Sequence, residues 1–109
     1  MLSTHVLDTS TGRPAAGIAL TLFAVDGGSR TLIASSETND DGRTAAPLAE
    51  TLARGTYELI FSVGQYFAAQ NVAAFYDEIT IRFRVDDVSR TYHVPLLLAP
   101  WGYSTYRGS

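Results

Sequence analysis

Along most of this chain apolar and polar residues alternate with a period of two, in short runs separated by Gly, Asp, Asn and Pro. From Leu2 to Leu7 the alternation sets Ser3, His5 and Leu7 on one face of a strand and Thr4, Val6 and Asp8 on the other. Asp-Thr-Ser-Thr-Gly-Arg-Pro (8–14) reads as a turn. A second strand, Ile18 to Val25, is apolar on both sides, as expected of a strand covered on both faces or lying centrally. Asp26-Gly27-Gly28-Ser29 signals a hairpin into a third strand, Arg30 to Glu37. The turn Asn39-Asp40-Asp41-Gly42 leads to Arg43, at the start of a weak strand through Thr44 to Leu48. Gly55 to Val63 is a half-buried strand, with Tyr57, Leu59, Phe61 and Val63 against Thr56, Glu58, Ile60 and Ser62, and Gly64 ends it. Gln65 to Ala73 lacks alternation and predicts a short helix. Glu78 to Val85 turns Ile79, Ile81, Phe83 and Val85 inward and leaves Thr80, Arg82 and Arg84 wet. The last long strand, Tyr92 to Leu98, carries His93, Pro95 and Leu97 on one face and Tyr92, Val94 and Leu96 on the other. Pro95 cannot donate to a sheet ladder, so this strand is expected at an edge, or with a bulge at that point.

Seven or eight short strands and one helix in 109 residues predict one all-β domain, residues 1–109, built as a sandwich or barrel. Such a chain buries roughly two thirds of the surface it exposes when unfolded. It has no internal repeat. A net charge of -3, with no block of like charges, points to neither nucleic acid nor an anionic membrane as partner. The absence of Cys removes disulfides, thiolate nucleophiles and sulfur metal ligands. All eight basic residues are Arg, which excludes lysine Schiff bases and a Walker lysine. Met-Leu-Ser-Thr-His-Val-Leu-Asp lacks an export pattern, and no apolar run approaches the ~20 residues of a membrane span, so the chain is expected to be soluble and cytoplasmic.

The only two histidines, His5 and His93, both lie in strands, and an unperturbed imidazole (pKa about 6.5) can act as acid or base near neutrality. Taken singly, a strand histidine is commonly structural; two of two invite a shared role. Arg43 follows a tight turn that could aim it at a ligand. Asn39-Asp40-Asp41-Gly42 is not an EF-hand loop, because the alternating oxygen ligands that must precede a Glu at the twelfth position are missing. No His-x-His or His-Glu-x-x-His spacing supports a metal site, and no Gly-x-Ser-x-Gly elbow supports a serine nucleophile. Asp8, three residues from His5, faces away from it. The final stretch changes character: Ala-Pro-Trp-Gly forms a turn, and Tyr-Ser-Thr-Tyr-Arg-Gly-Ser is aromatic and polar.

The set His-Val-Leu-Asp (5–8), Gly-Arg (42–43), Tyr-His-Val-Pro-Leu-Leu-Leu (92–98) and Tyr-Arg-Gly-Ser (106–109) resembles the transthyretin-like 5-hydroxyisourate hydrolases. Gly-Arg-Pro-Ala (12–15), Thr-Asn-x-Asp-Gly-Arg (38–43), Gly-x-Tyr (55–57) and Pro-x-Gly-Tyr-Ser-Thr-Tyr (100–106) extend the likeness along the whole chain. The resemblance implies an eight-stranded, two-sheet sandwich with a short helix, assembled as a homotetramer, a dimer of dimers with active sites at the dimer-dimer interface. It implies hydrolytic opening of the six-membered ring of 5-hydroxyisourate to 2-oxo-4-hydroxy-4-carboxy-5-ureidoimidazoline, with no metal and no organic cofactor. Carried over by position, the catalytic residues are His5, Arg43, His93 and Ser109, and Tyr106, Arg107 and Gly108 contact substrate. One histidine would activate water and the other would orient it or protonate the leaving nitrogen, the assignment being open. The rival implication is a small-ligand carrier, as transthyretin is for hormone. Asp77 and Ala99 stand where the family commonly has Pro and Ser.

Overall fold

From Leu2 to Asp8 every second residue is buried, as the alternation of the sequence predicts. The computed structural model describes residues 1–109. Its elements are β1 (Leu2–Asp8), β2 (Arg13–Pro14), β3 (Ala19–Asp26), β4 (Ser29–Glu37), β5 (Gly55–Phe61), α1 (Val63–Ala68), β6 (Ile79–Val85), β7 (Tyr92–Ala99) and β8 (Gly102–Thr105). They form two four-stranded sheets, ordered β2-β1-β7-β8 and β4-β3-β5-β6. The inner faces meet in a core that includes Leu2, Val6, Leu20, Leu22, Leu59, Phe61, Ile79, Val94, Leu96 and Leu98. This is the two-sheet sandwich with one short helix that the alternation and the resemblance predict. β3 lies between β4 and β5, the central position its apolar run suggested.

Three local expectations are corrected. Thr44 to Leu48 is not a strand: Pro47 lacks a donor, Ala is a poor strand former, and the only pairing nearby is an isolated bridge between Leu2 and Ala49. Buried Leu48 and Leu52 pin this segment to the core instead. The helix spans Val63–Ala68 rather than Gln65 to Ala73. Val63 and Phe67, one turn apart, bury its apolar side, and the chain turns off where Asn71 adopts a left-handed φ of 58°. Gly64, expected to lie outside it, is helical: its N–H donates to the Asp77 carbonyl (2.8 Å), and a Cβ there would lie 2.7 Å from Asp77 Oδ1. That bond ties down the turn at Asp77.

The third correction concerns β7, which is internal and keeps its register, and so is neither the edge strand nor the bulged strand that Pro95 predicts. Its Tyr92 N–H donates to Met1 and its Leu98 carbonyl accepts from Thr9, so the even-numbered positions turn their backbone polar groups to β1 and Pro95 faces β8. The β8 ladder runs from Ala99–Gly102 to Leu96–Thr105, lapses opposite Pro95, and resumes in the same register at His93–Gly108. The missing donor thus falls in a gap, and the Thr105 hydroxyl donates to the Pro95 carbonyl (2.8 Å). The interruption is the local irregularity that proline required.

Two side-chain groups brace the frame. Buried Asp8 accepts from the Tyr66 hydroxyl (2.8 Å) and from Ser10, fastening α1 to the end of β1. Glu58, on the outward face of β5, is covered by Arg82 (2.9 Å) and Arg30 (3.4 Å). Replacing fully buried Leu96 with Ala should cost about 2–5 kcal/mol, whereas Leu32→Ala, on an edge strand and 56% exposed, should cost less than about 0.5 kcal/mol. Denaturant midpoints of the two variants check this; equal losses would contradict the assignment of the inner face.

Candidate active site

β1 and β7 run parallel, with Ser3 opposite His93 and His5 opposite Pro95. Residues ninety positions apart thus become neighbours on the outward face of the sheet. Ser3 Oγ lies 2.8 Å from His93 Nδ1, and both histidines are half-buried. Since Ser3, His5 and His93 all face outward, His5 is the diagonal neighbour of His93.

Arg43 reaches the same face through a loop that closes on itself. Asn39 Oδ1 accepts from the Asp41 N–H (2.9 Å) and the Arg43 N–H (3.2 Å), and the Asn39 N–H donates to the Arg43 carbonyl (2.7 Å). The loop docks on β1 through a hydrogen bond from the Val6 N–H to the Gly42 carbonyl (2.9 Å). Gly42 has φ +74°, and a Cβ there would collide with the Val6 carbonyl and press on Pro14 and the His5 ring. Only glycine lets the loop lie this close to His5. Arg43 itself forms no ion pair.

On the other side of His93 the chain returns after β8. The Gly108 N–H donates to the His93 carbonyl (2.8 Å), and a Cβ on Gly108 would strike the imidazole ring. Ser109 follows, lining a cleft of about 330 Å³ with Met1, Ser3, Arg43, Thr91, Tyr92 and His93. Tyr106 and Arg107 lie elsewhere. They line a narrower cleft of about 170 Å³ behind His93, where the Arg107 guanidinium sits 4.5 Å from the centre of the Tyr92 ring. The structure therefore gathers His93, Arg43 and Ser109 in one cleft, sets His5 beside it and packs Gly108 against the His93 ring. Tyr106 and Arg107 line the narrower cleft, which shares Tyr92 and His93 with the main one.

Burial, then the positive charge of Arg43, then His5, hold the His93 pKa below the ordinary imidazole value, with a backbone hydrogen bond to Ser3 opposing. His93 is therefore neutral near pH 7. A neutral imidazole beside an unpaired guanidinium can take a proton from water while the cation receives a developing negative charge. No three His, Asp, Glu or Cys side chains converge as a metal cage would require.

A profile of the HIUase/Transthyretin family matches residues 2–108. The chain belongs to this family. It is 54% identical to the 5-hydroxyisourate hydrolase of Deinococcus radiodurans, in an alignment of 113 residues covering 99% of this chain and 95% of that protein. The structure of Klebsiella pneumoniae 5-hydroxyisourate hydrolase superposes with a TM-score of 0.83 at 39% identity, covering 99% of this chain and 98% of that one. Sea bream transthyretin in complex with thyroxine superposes with a TM-score of 0.91 at 27% identity, covering 98% and 93%. Membership accounts for the fold that enzyme and carrier share.

Sequence reasoning passed over Ser3, Asn39 and Gly42. Ser3 shares the face of His5, but its partner is visible only once β1 is paired with β7. Asn39 and Gly42 carry a turn signal in the sequence, and it is this turn that aims Arg43.

In an NMR titration His93 is expected to change charge below pH about 6.5, and the Arg43→Gln variant should bring the midpoint back up. A midpoint at or above the ordinary value, or one unmoved by the substitution, would contradict the coupling. Gly108→Ala should displace the His93 ring resonances, while Gly102→Ala, whose Cβ would meet open space, should leave them in place. Equal perturbation by both would rule out the packing of Gly108 on the ring.

Proposed function

We propose that this chain hydrolyses 5-hydroxyisourate, opening its six-membered ring to give 2-oxo-4-hydroxy-4-carboxy-5-ureidoimidazoline. The observation that carries the reading is the meeting of His93, Arg43 and Ser109 in one cleft. The hydrolases named above, alike along nearly their whole length, support it. In the proposed reaction His93 Nε2, which has no protein partner, takes a proton from water as the water oxygen bonds to the ring carbonyl carbon. Arg43 receives the negative charge that develops on the carbonyl oxygen, its planar fork suiting an oxygen-rich, purine-derived substrate. The tetrahedral intermediate collapses with cleavage of the ring carbon–nitrogen bond, and the proton held by His93 passes to the leaving nitrogen. His5 orients the water, and the Ser109 hydroxyl hydrogen-bonds the substrate. Gly108 keeps the His93 ring in place, while Tyr106 and Arg107 contact the substrate from the narrower cleft. No metal or organic cofactor enters the scheme.

The same proposal includes a homotetramer, a dimer of dimers, with the cleft facing the dimer-dimer interface. Its support is that the cleft lies on the outward face of β2-β1-β7-β8, where a second sheet could cover it. No helix is long and apolar enough to cross a membrane, and the proposal keeps the cytoplasmic setting expected from the sequence.

The test follows ultraviolet absorbance as 5-hydroxyisourate, made in place from urate by urate oxidase, decays with and without the protein. Decay should accelerate in proportion to protein, and His93→Ala, Arg43→Ala and His5→Ala should each lower kcat/KM by at least roughly 100-fold. An unaccelerated decay, with binding of an aromatic ligand in the cleft, would favour the carrier reading that the likeness to sea bream transthyretin also permits.

A further inference from the structure

The contact to Ser3 is the one side-chain hydrogen bond His93 makes, and it engages Nδ1. Gly108 closes on the same ring from another side. A ring held by one nitrogen and by contact with backbone has little freedom to turn. We propose that Ser3 is a positioning residue for the hydrolysis: its Oγ accepts a hydrogen bond from His93 Nδ1–H, fixes the neutral tautomer with a bare Nε2, and aims that nitrogen at the cleft shared with Arg43 and Ser109. The kinetic part of this inference rests on the hydrolase reading, and the tautomer part does not.

A neutral imidazole carries one proton, and the hydrogen bond made by one ring nitrogen decides whether the other is donor or acceptor. For Nε2 to take a proton from water, the ring's own proton must sit on Nδ1, and Ser3 Oγ is the acceptor placed to hold it there. The hydroxyl proton of Ser3 is then free to turn into the cleft, which Ser3 itself lines. An acceptor for Nδ1–H favours the imidazolium, so loss of the Ser3 hydroxyl is expected to lower the His93 pKa.

The charged and titratable groups around His93 are Arg43 and His5, Met1 and Tyr92 along the main cleft, and Arg84, Tyr106 and Arg107 along the narrower one. Replacing Ser3 with another neutral residue changes none of them. A shift in the titration of His93 therefore reports the hydrogen bond and not a lost charge.

The test compares Ser3→Thr with Ser3→Val, near-isosteres that differ by one hydroxyl and both suit a strand, and adds Ser3→Ala. Ser3→Thr, which keeps the hydroxyl, should retain the wild-type pH profile and most of the kcat that Ser3→Val loses. Ser3→Val and Ser3→Ala should lower kcat by between about 10- and 100-fold, the scale of a lost orienting bond, with KM little changed. In these two variants the acid limb of kcat should move to lower pH. Nitrogen NMR of labelled His93 should show the Nδ1–H tautomer in the wild type and Ser3→Thr, and a tautomer mixture in Ser3→Val and Ser3→Ala. The proposal is overturned if Ser3→Val matches Ser3→Thr in kcat and spectra, if Ser3→Thr is as impaired as Ser3→Val, or if the wild type holds its proton on Nε2. The spectra need no substrate, so a wild-type protein that left 5-hydroxyisourate decay unaccelerated would sink the hydrolase reading while the spectra still decided the role of Ser3.

Discussion

The parallel pairing of β1 with β7 is the constraint on which the rest of the structure depends. Its inward residues, among them Leu2, Val6, Val94, Leu96 and Leu98, form much of one wall of the core. Its outward residues, Ser3, His5 and His93, form the candidate site. The buried Thr4 hydroxyl donates to the Val94 carbonyl (2.7 Å), locking the register from inside at the same level as the Ser3–His93 contact outside. A slip of one residue would turn His93 into the core and Val94 out to water, so hydrophobic burial itself enforces the geometry of the site. Stability and candidate chemistry are two faces of one ladder.

Backbone makes the closest approaches to this ladder. Gly42 brings the Arg43 loop against β1, and Gly108 brings the last turn of chain against His93; at each the space for a Cβ is already filled. The loop and the returning segment then close on a small outward-facing cleft whose nearest strong charge is Arg43. Both ion pairs of the structure involve Glu58, which lies on the opposite sheet. A chain of net charge -3 thus keeps an unpaired cation beside His93, and that field favours the neutral form of this ring and an electron-rich substrate together.

Alternation made the faces legible: His5 with Ser3, His93 with Pro95, and the inward residues of β5 and β6 all follow from period two. Pairing was less so. No local signal announces that the first strand lies parallel to one ninety residues later, and hence that the two histidines are neighbours. Pro95 suggests an edge or a bulge, because a proline's missing donor is usually accommodated there; here the neighbouring strand lapses opposite it instead. The helix was misplaced because Gly64 reads as a breaker until Asp77 is seen to fill the space beside it. Tyr106 and Arg107, consecutive with Gly108 and Ser109, share a motif with them but not a cleft, since the ladder lapses at Tyr106 and resumes at Gly108.

The sandwich alone does not separate a hydrolase from a carrier, and the distinction rests on the site. The central claim is that His93 is a neutral base, held so by burial and by Arg43. The most direct measurement is the pH dependence of kcat/KM for 5-hydroxyisourate, corrected for spontaneous decay. A base that must be deprotonated gives a rate that falls as pH drops through its pKa. The account predicts that fall below pH about 6.5, at the midpoint found for His93 itself. A rate flat across that range, or one lost at a higher pH, would contradict it.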